Sequence, residues 1–159
     1  MKQIFLAIIF LTVCLSSYAF NVSVIERQAI LDAARPVAST KAGQSVRLQV
    51  NKLNVDQAWA VLVGNIVSAN GKGIDWDLTG GECNPSLDKM LWVVLHKTHQ
   101  QWKVKHIEIC ADEPPYWTIE QYGGLVWPCG VYAGLEDGSG ETLDVQCRKQ
   151  HKLNPHIDK

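Results

Sequence analysis

The sequence predicts an α+β fold: an N-terminal helix packed on a curved antiparallel β-sheet, stapled by two disulfides. Three observations carry this reading. A capping box opens a helical stripe at Ser23. Apolar runs, alternating or unbroken and separated by turn signals, then fill residues 46–110. Four cysteines remain once an N-terminal export segment is set aside. A helix followed by a run of antiparallel strands is the α+β order.

The export segment is read from its three parts. Lys2 supplies a positive start, Ile4 to Val13 is almost uninterrupted apolar sequence, and Ser17-Tyr18-Ala19 places small residues at the −3 and −1 positions of a signal-peptidase site. The run is shorter than the roughly 20 apolar residues of a membrane helix. Residues 1–19 are therefore expected to leave as a signal peptide, giving a periplasmic or secreted protein with no membrane span in the mature chain. Cleavage leaves 140 of the 159 residues. That suffices for a single α+β domain over residues 20–148, with 149–159 as a polar, frayed tail.

The mature chain would carry 14 Lys+Arg against 16 Asp+Glu. Without a basic surplus there is no electrostatic footprint for nucleic acid or an anionic membrane. All six tryptophans (Trp59, Trp76, Trp92, Trp102, Trp117 and Trp127) lie in the mature part, enough bulk for a packed core and for part of a binding surface.

Cys14 sits inside the apolar run and leaves with it. Val13 occupies a lipobox position that wants a small residue, which argues against lipidation. Cys83, Cys110, Cys129 and Cys147 remain, and in an exported chain they read as two disulfides. Of three possible pairings, Cys83–Cys110 and Cys129–Cys147 are preferred, since each joins neighbouring segments of an antiparallel layout. No Cys-x-x-Cys or Cys-x-x-His pair points to zinc, and neither a metal nor a cofactor is called.

Along the chain, Ser23-Val24-Ile25-Glu26 is the capping box, with the Ser23 hydroxyl accepting from the Glu26 amide and the Glu26 carboxylate reaching back. Ile25, Ala29, Ile30, Ala33 and Ala34 form the apolar stripe. Pro36 should end or kink the helix near Arg35, with a short continuation possible before Ala42-Gly43-Gln44 breaks it. Val46, Leu48 and Val50 alternate as a half-buried strand, and the phase slips at Leu53 and Val55, which predicts a bulge near Asn51-Lys52 or the strand's end. A turn at Asp56-Gln57 leads into Ala58–Val67, a central strand covered on both faces. Asn70-Gly71-Lys72-Gly73 is a turn, and residues 74–88 are irregular and pinned by Cys83. Lys89–Lys97 and Trp102–Cys110 form the clearest hairpin. Asp112-Glu113-Pro114-Pro115-Tyr116 reads as an ordered crossing loop, because two prolines remove consecutive donors. Residues 116–122 leave room for a helical turn closed by Gly123-Gly124. A last hairpin is expected from Leu125–Leu135 and Glu141–Arg148 about a Glu136–Gly140 turn.

Arg27–Ala33, Trp59-Ala60-Val61-Leu62-Val63-Gly64 and Trp92-Val93-Val94-Leu95 with Trp102-Lys103-Val104 together resemble the layout of small cystatin-like or NTF2-like α+β domains. They are similar also to small exported bacterial proteins of unassigned function. The resemblance covers residues 23–110 and implies a helix packed across a curved sheet. It carries over no functional residue, and one or two helices leave little room for the deep pocket of larger NTF2-like domains.

Several groups were weighed for chemistry. Asp75-x-Asp77, with Glu82 nearby, offers carboxylate oxygens to a divalent cation, but such a site needs more ligands, and a solvated loop is the preferred account. Glycoside hydrolysis needs two placed acids, and spacing singles out no pair. His96 and His106 lie on paired strands where their rings could meet, without a third partner. There is no Gly-x-Ser-x-Gly and no phosphate loop, so no catalytic residue is assigned. Asp112-Glu113, beside Cys110 and two prolines, is a candidate rigid recognition loop, and the most site-like stretch is Pro114-Pro115-Tyr116-Trp117 joined to Tyr122-Gly123-Gly124-Leu125-Val126-Trp127, where aromatics and rigid backbone gather beyond the sheet. The preferred account of these aromatics is nonetheless a satellite core capping the sheet. The expected function is a small exported binding or inhibitory protein acting on another envelope or extracellular protein, such as a toxin or wall-hydrolase neutraliser. The alternative is an NTF2-like pocketed enzyme or small-ligand carrier.

Overall fold

The structure, a computed structural model, describes residues 22–71, 73–84, 86, 90–111, 125 and 127–153. Residues 1–19, expected to leave as a signal peptide, and the candidate residues Asp112, Glu113, Tyr116, Trp117 and Tyr122 lie outside the described residues.

Helix α1 spans Val24–Lys41. Its start is the predicted cap: the Glu26 amide donates to Ser23 Oγ at 3.1 Å. The Glu26 carboxylate is used tertiarily, accepting from Lys97 Nζ at 2.8 Å. Pro36 lies inside the helix rather than ending it. The amide it lacks would have faced an exposed turn, so water can serve the orphaned carbonyl. The buried stripe is Ile30, Ala34, Ala38 and Ala42, four residues apart, and its three alanines let the helix lie close on the sheet. Ile25 and Ala29, expected on that stripe, are exposed. Both precede by one residue the row Glu26, Ile30, Ala34 and Ala38 that faces the sheet, which puts them about 100° around the helix from it.

The sheet is a four-stranded antiparallel meander in the order β1 (Val46–Asp56), β2 (Trp59–Ser68), β3 (Met90–Thr98) and β4 (Gln101–Ala111). The expected bulge falls between Val50 and Lys52. Opposite it sits Gly64, where a Cβ would come within 2.1 Å of the Gln49 carbonyl oxygen, so the bulge and the glycine require one another. The β3–β4 turn places His99 and Gln100 both at positive φ, 50° and 64°, the geometry of a two-residue turn matched to strand twist.

α1 covers one face of this sheet. Ala60, Leu62 and Ile66 of β2, Leu91, Val93 and Leu95 of β3, and Trp102, Ile107 and Ile109 of β4 form a core with its stripe. The other face carries a second core: Val61, Trp92 and Val94 under Trp127, Val131, Tyr132, Leu143 and Cys147. β2 is thus apolar on both sides, as its unbroken run predicted.

The second core corrects the last expected hairpin. Residues 129–132 form a 3-10 turn and Leu143–Leu153 form helix α2. Only one isolated bridge, Glu136 to Thr142, survives around the Gly138 turn. Leu143 and Cys147, four apart and both buried, and Asp144 with Arg148 as an ion pair, follow the helical period rather than the strand period. The helix continues through Leu153, so residues 149–153 are structured where a frayed tail was expected. Both preferred disulfides are present, Cys83–Cys110 and Cys129–Cys147. No helix among the described residues is long and apolar enough to cross a membrane.

Candidate functional site

The bulge in β1 sets up the region of interest. By re-phasing the strand it turns Leu53 and Val55 to the α1 core, and Lys52, Asn54 and Asp56 to the opposite side. Those three polar side chains then grip the backbone of residues 130–134. Asp56 Oδ2 accepts from the Gly130 amide at 2.9 Å. Asn54 Nδ2 donates to the Val131 and Ala133 carbonyls at 3.0 and 2.9 Å. Lys52 Nζ donates to the Gly134 carbonyl at 2.7 Å. A Cβ on residue 130 would sit 2.6 Å from the Asp56 carboxylate, so only glycine allows this approach. The ladder satisfies backbone groups of a non-repetitive segment that sheet pairing cannot serve.

Inside the clamp lies an aromatic row. His96 packs on Trp59 with ring centroids 4.2 Å apart, Trp59 stacks on Trp127 at 5.4 Å, and Trp127 stacks on Tyr132 at 6.1 Å. Trp59 and His96 are half-buried and Tyr132 is fully buried. Burial raises the Tyr132 phenol well above its ordinary value, against a smaller opposing effect of a hydrogen bond with the Trp127 backbone, so this tyrosine stays neutral and serves packing. Trp127, a candidate binding residue, is 7 % exposed and inside the second core.

Behind the row, the Cys129–Cys147 disulfide pins the 3-10 turn to α2. His151, one turn after Cys147, places Nδ1 at 3.9 Å from Cys129 Sγ and Nε2 at 3.8 Å from Cys147 Sγ. Nε2 also meets the Leu125 carbonyl oxygen at 2.7 Å. A carbonyl only accepts, so Nε2 carries the proton of that bond. Among the described residues, Cys129, Cys147 and His151 are the group of three His, Cys, Asp or Glu side chains whose ligand atoms come this close together, within 4.8 Å.

The other candidates do not converge. Asp75 caps the short 3-10 turn Trp76–Thr79 by accepting from the Asp77 amide at 3.1 Å. Glu82 lies 3.5 Å from Lys41 Nζ. His106 pairs with Glu108 at 3.1 Å, and burial pulls its pKa down, partly offset by the Glu108 carboxylate. In the β3–β4 register His106 lies opposite Val94 and His96 opposite Lys103, so the two imidazoles take separate partners instead of meeting. An open depression of about 650 Å³ borders Arg47, Gln49, Ser68 and Gly71 at the far end of β1 and β2. Neither histidine lines it.

Sequence reasoning missed the polar clamp and His151. The clamp had a signal: the same phase slip that predicted the bulge assigns Lys52, Asn54 and Asp56 to one face. His151 had one too, in the helical Cys147-x-x-x-His151 spacing, which a strand reading of 141–148 hid.

Fold and site together define the class as a disulfide-stapled α+β domain whose sheet is covered on both faces. Comparison with family models, with curated proteins and with solved structures finds no significant match to this chain. The cystatin-like and NTF2-like resemblance therefore rests on element order alone.

Proposed function

We propose that the chain is an exported small binding or inhibitory protein that acts on another envelope or extracellular protein, with residues 112–124 at the centre of its recognition surface. One observation carries this reading: that segment is bracketed by the two disulfides. Ala111, just before it, follows Cys110, which is bonded to Cys83. Leu125, just after it, is held by His151 beside the Cys129–Cys147 bond. Rigid scaffolds that fix both ends of a connecting segment are where binding residues concentrate. Asp112, Glu113, Tyr116, Trp117 and Tyr122 supply the anchor and rim chemistry of an interface. Trp127 is packed in the second core. Two disulfides fit an oxidising compartment. A toxin or wall-hydrolase neutraliser is the concrete version of this role. The NTF2-like enzyme or carrier reading loses ground because Asp75 caps a turn through the Asp77 amide, His96 packs on Trp59 and His106 pairs with Glu108, and none of the four lines the depression beside β1 and β2.

The test is capture of envelope proteins by the mature chain, repeated with the double variant Tyr116→Ala/Trp117→Ala. A partner retained by the wild type and weakened by about 2 kcal/mol or more per anchor lost supports the reading. Equal capture by both proteins, or no capture together with turnover of a small molecule, overturns it.

A further inference from the structure

We propose that Cys129, Cys147 and His151 form a reduction-gated site for a thiolate-preferring divalent cation of the zinc class.

Three observations meet here. First, the ligand set is complete for an open site: two sulfurs and one imidazole, all within 4.8 Å of one another. A tetrahedral zinc with its usual Zn–S and Zn–N bonds separates sulfur from nitrogen by about 3.6 Å; Nδ1 lies 3.9 Å from Cys129 Sγ, and the other edge of the ring, at Nε2, lies 3.8 Å from Cys147 Sγ. Second, the imidazole is oriented as metal-bound histidines are. Nε2 donates to the Leu125 carbonyl at 2.7 Å, which in the neutral ring makes Nδ1 the lone-pair nitrogen turned to Cys129. A backbone carbonyl holding the remote N–H is the usual outer partner of a ligating histidine. Third, Cys147 and His151 are one turn apart on α2, a spacing that brings two ligands to the same helix face. Among the described residues no histidine stands beside the Cys83–Cys110 bond in this way; the Glu82 carbonyl lies 3.7 Å from Cys110 Sγ.

The chemistry balances with a small-molecule thiol as reductant. Its thiolate attacks Sγ of Cys129, the less buried of the pair. The Cys129–Cys147 bond breaks, and Cys147 leaves as a thiolate that takes up a proton. A second thiol resolves the mixed disulfide, so the reductant departs as its own disulfide and two thiols remain on the chain. The cation then displaces both thiol protons and binds two thiolates and Nδ1, with a fourth position left to water. The cation replaces the covalent staple between the 3-10 turn and α2, so the cap over the second core is held in either redox state.

The experiment uses the full mature chain, reduced with a phosphine that does not compete for metal, and cobalt(II) as the probe. The expected result is one equivalent of cobalt per reduced chain, with a thiolate-to-cobalt charge-transfer band displaced by zinc, and none for the oxidised chain. His151→Ala, which keeps all four thiols, should weaken binding by more than about 100-fold, beyond the 10- to 100-fold typical of losing an outer-shell partner. Cys83→Ser/Cys110→Ser should keep the band. Absence of the band from the reduced wild type overturns the proposal. So does an unchanged affinity in His151→Ala. If Cys83→Ser/Cys110→Ser does not fold, the His151→Ala comparison alone decides.

Discussion

The two faces of the sheet are covered in opposite ways. On one, a single continuous helix lays Ile30, Ala34, Ala38 and Ala42 on β-strand side chains; its backbone hydrogen bonds are largely internal, and its polar ties to the strands come from side chains, Glu26 to Lys97 and Ser39 to the Val46 amide. On the other, residues 125–147 cover Val61, Trp92 and Val94 with a short 3-10 turn, a helix and large aromatics. Much of that backbone cannot satisfy itself. It is held by Lys52, Asn54 and Asp56 and by the Cys129–Cys147 bond. A regular element needs burial alone, whereas an irregular one needs burial, polar partners and a cross-link together.

The sharpest way to break the second face is Tyr132→Ala. The residue is fully buried between Trp127 and the sheet. Its removal should cost about 3–5 kcal/mol, as aromatic-to-alanine changes in cores do, measured by chemical denaturation. The tryptophan fluorescence of Trp59 and Trp127 should shift before the helix signal is lost.

Cys129→Ser/Cys147→Ser is next. The bond spans 18 residues, and a loop of that size contributes about 3 kcal/mol through the unfolded chain. Amide exchange should rise in residues 129–147 and stay slow in α1; equal loosening of both faces would mean that they are not separately held.

Asn54→Leu comes third. It leaves the Val131 and Ala133 carbonyls without their side-chain donor, at about 1–3 kcal/mol if water cannot enter. Asn54→Asp, which turns donors into acceptors, should be no better tolerated.

The smallest effect concerns β4. His106 has a pKa lowered by burial, opposed by Glu108 and assisted by Lys41. The folded state thus binds the proton less well than the unfolded chain. The associated stability is present above the ordinary value of 6.5 and lost as pH falls toward the lowered one. Denaturation midpoints at pH 7.5 and pH 5 should therefore fall further for the wild type than for His106→Gln.

These contrasts match what was legible in the chain. The α1 cap, the β1 bulge, the double-sided β2 and the β3–β4 hairpin each leave a local mark: a capping pair, a phase slip, an unbroken apolar run, two strands across a short connection. The helix end was misjudged because Pro36 costs little where its missing bond faces water. Ile25 and Ala29 lie outside the buried face because the apolar stripe is two rows wide, and the sheet covers the row of Ile30, Ala34 and Ala38 while the row one residue earlier sits at its edge. Leu125–Leu135 and Glu141–Arg148 were read as strands because short apolar runs do not distinguish helix from strand. The candidate residues Asp112, Glu113, Tyr116, Trp117 and Tyr122 lie outside the described residues, while Trp127 is packed in the second core.

The sequence by itself determined the α+β order, the register slip in β1 and the four cysteines available for two disulfides, since periodicity and composition are local or countable properties. Only the tertiary structure decided what Lys52, Asn54, Asp56 and His151 are for. Their partners lie 26 to 82 residues away in the chain. A polar side chain carries no mark of a distant backbone group until the fold brings the two within hydrogen-bond reach.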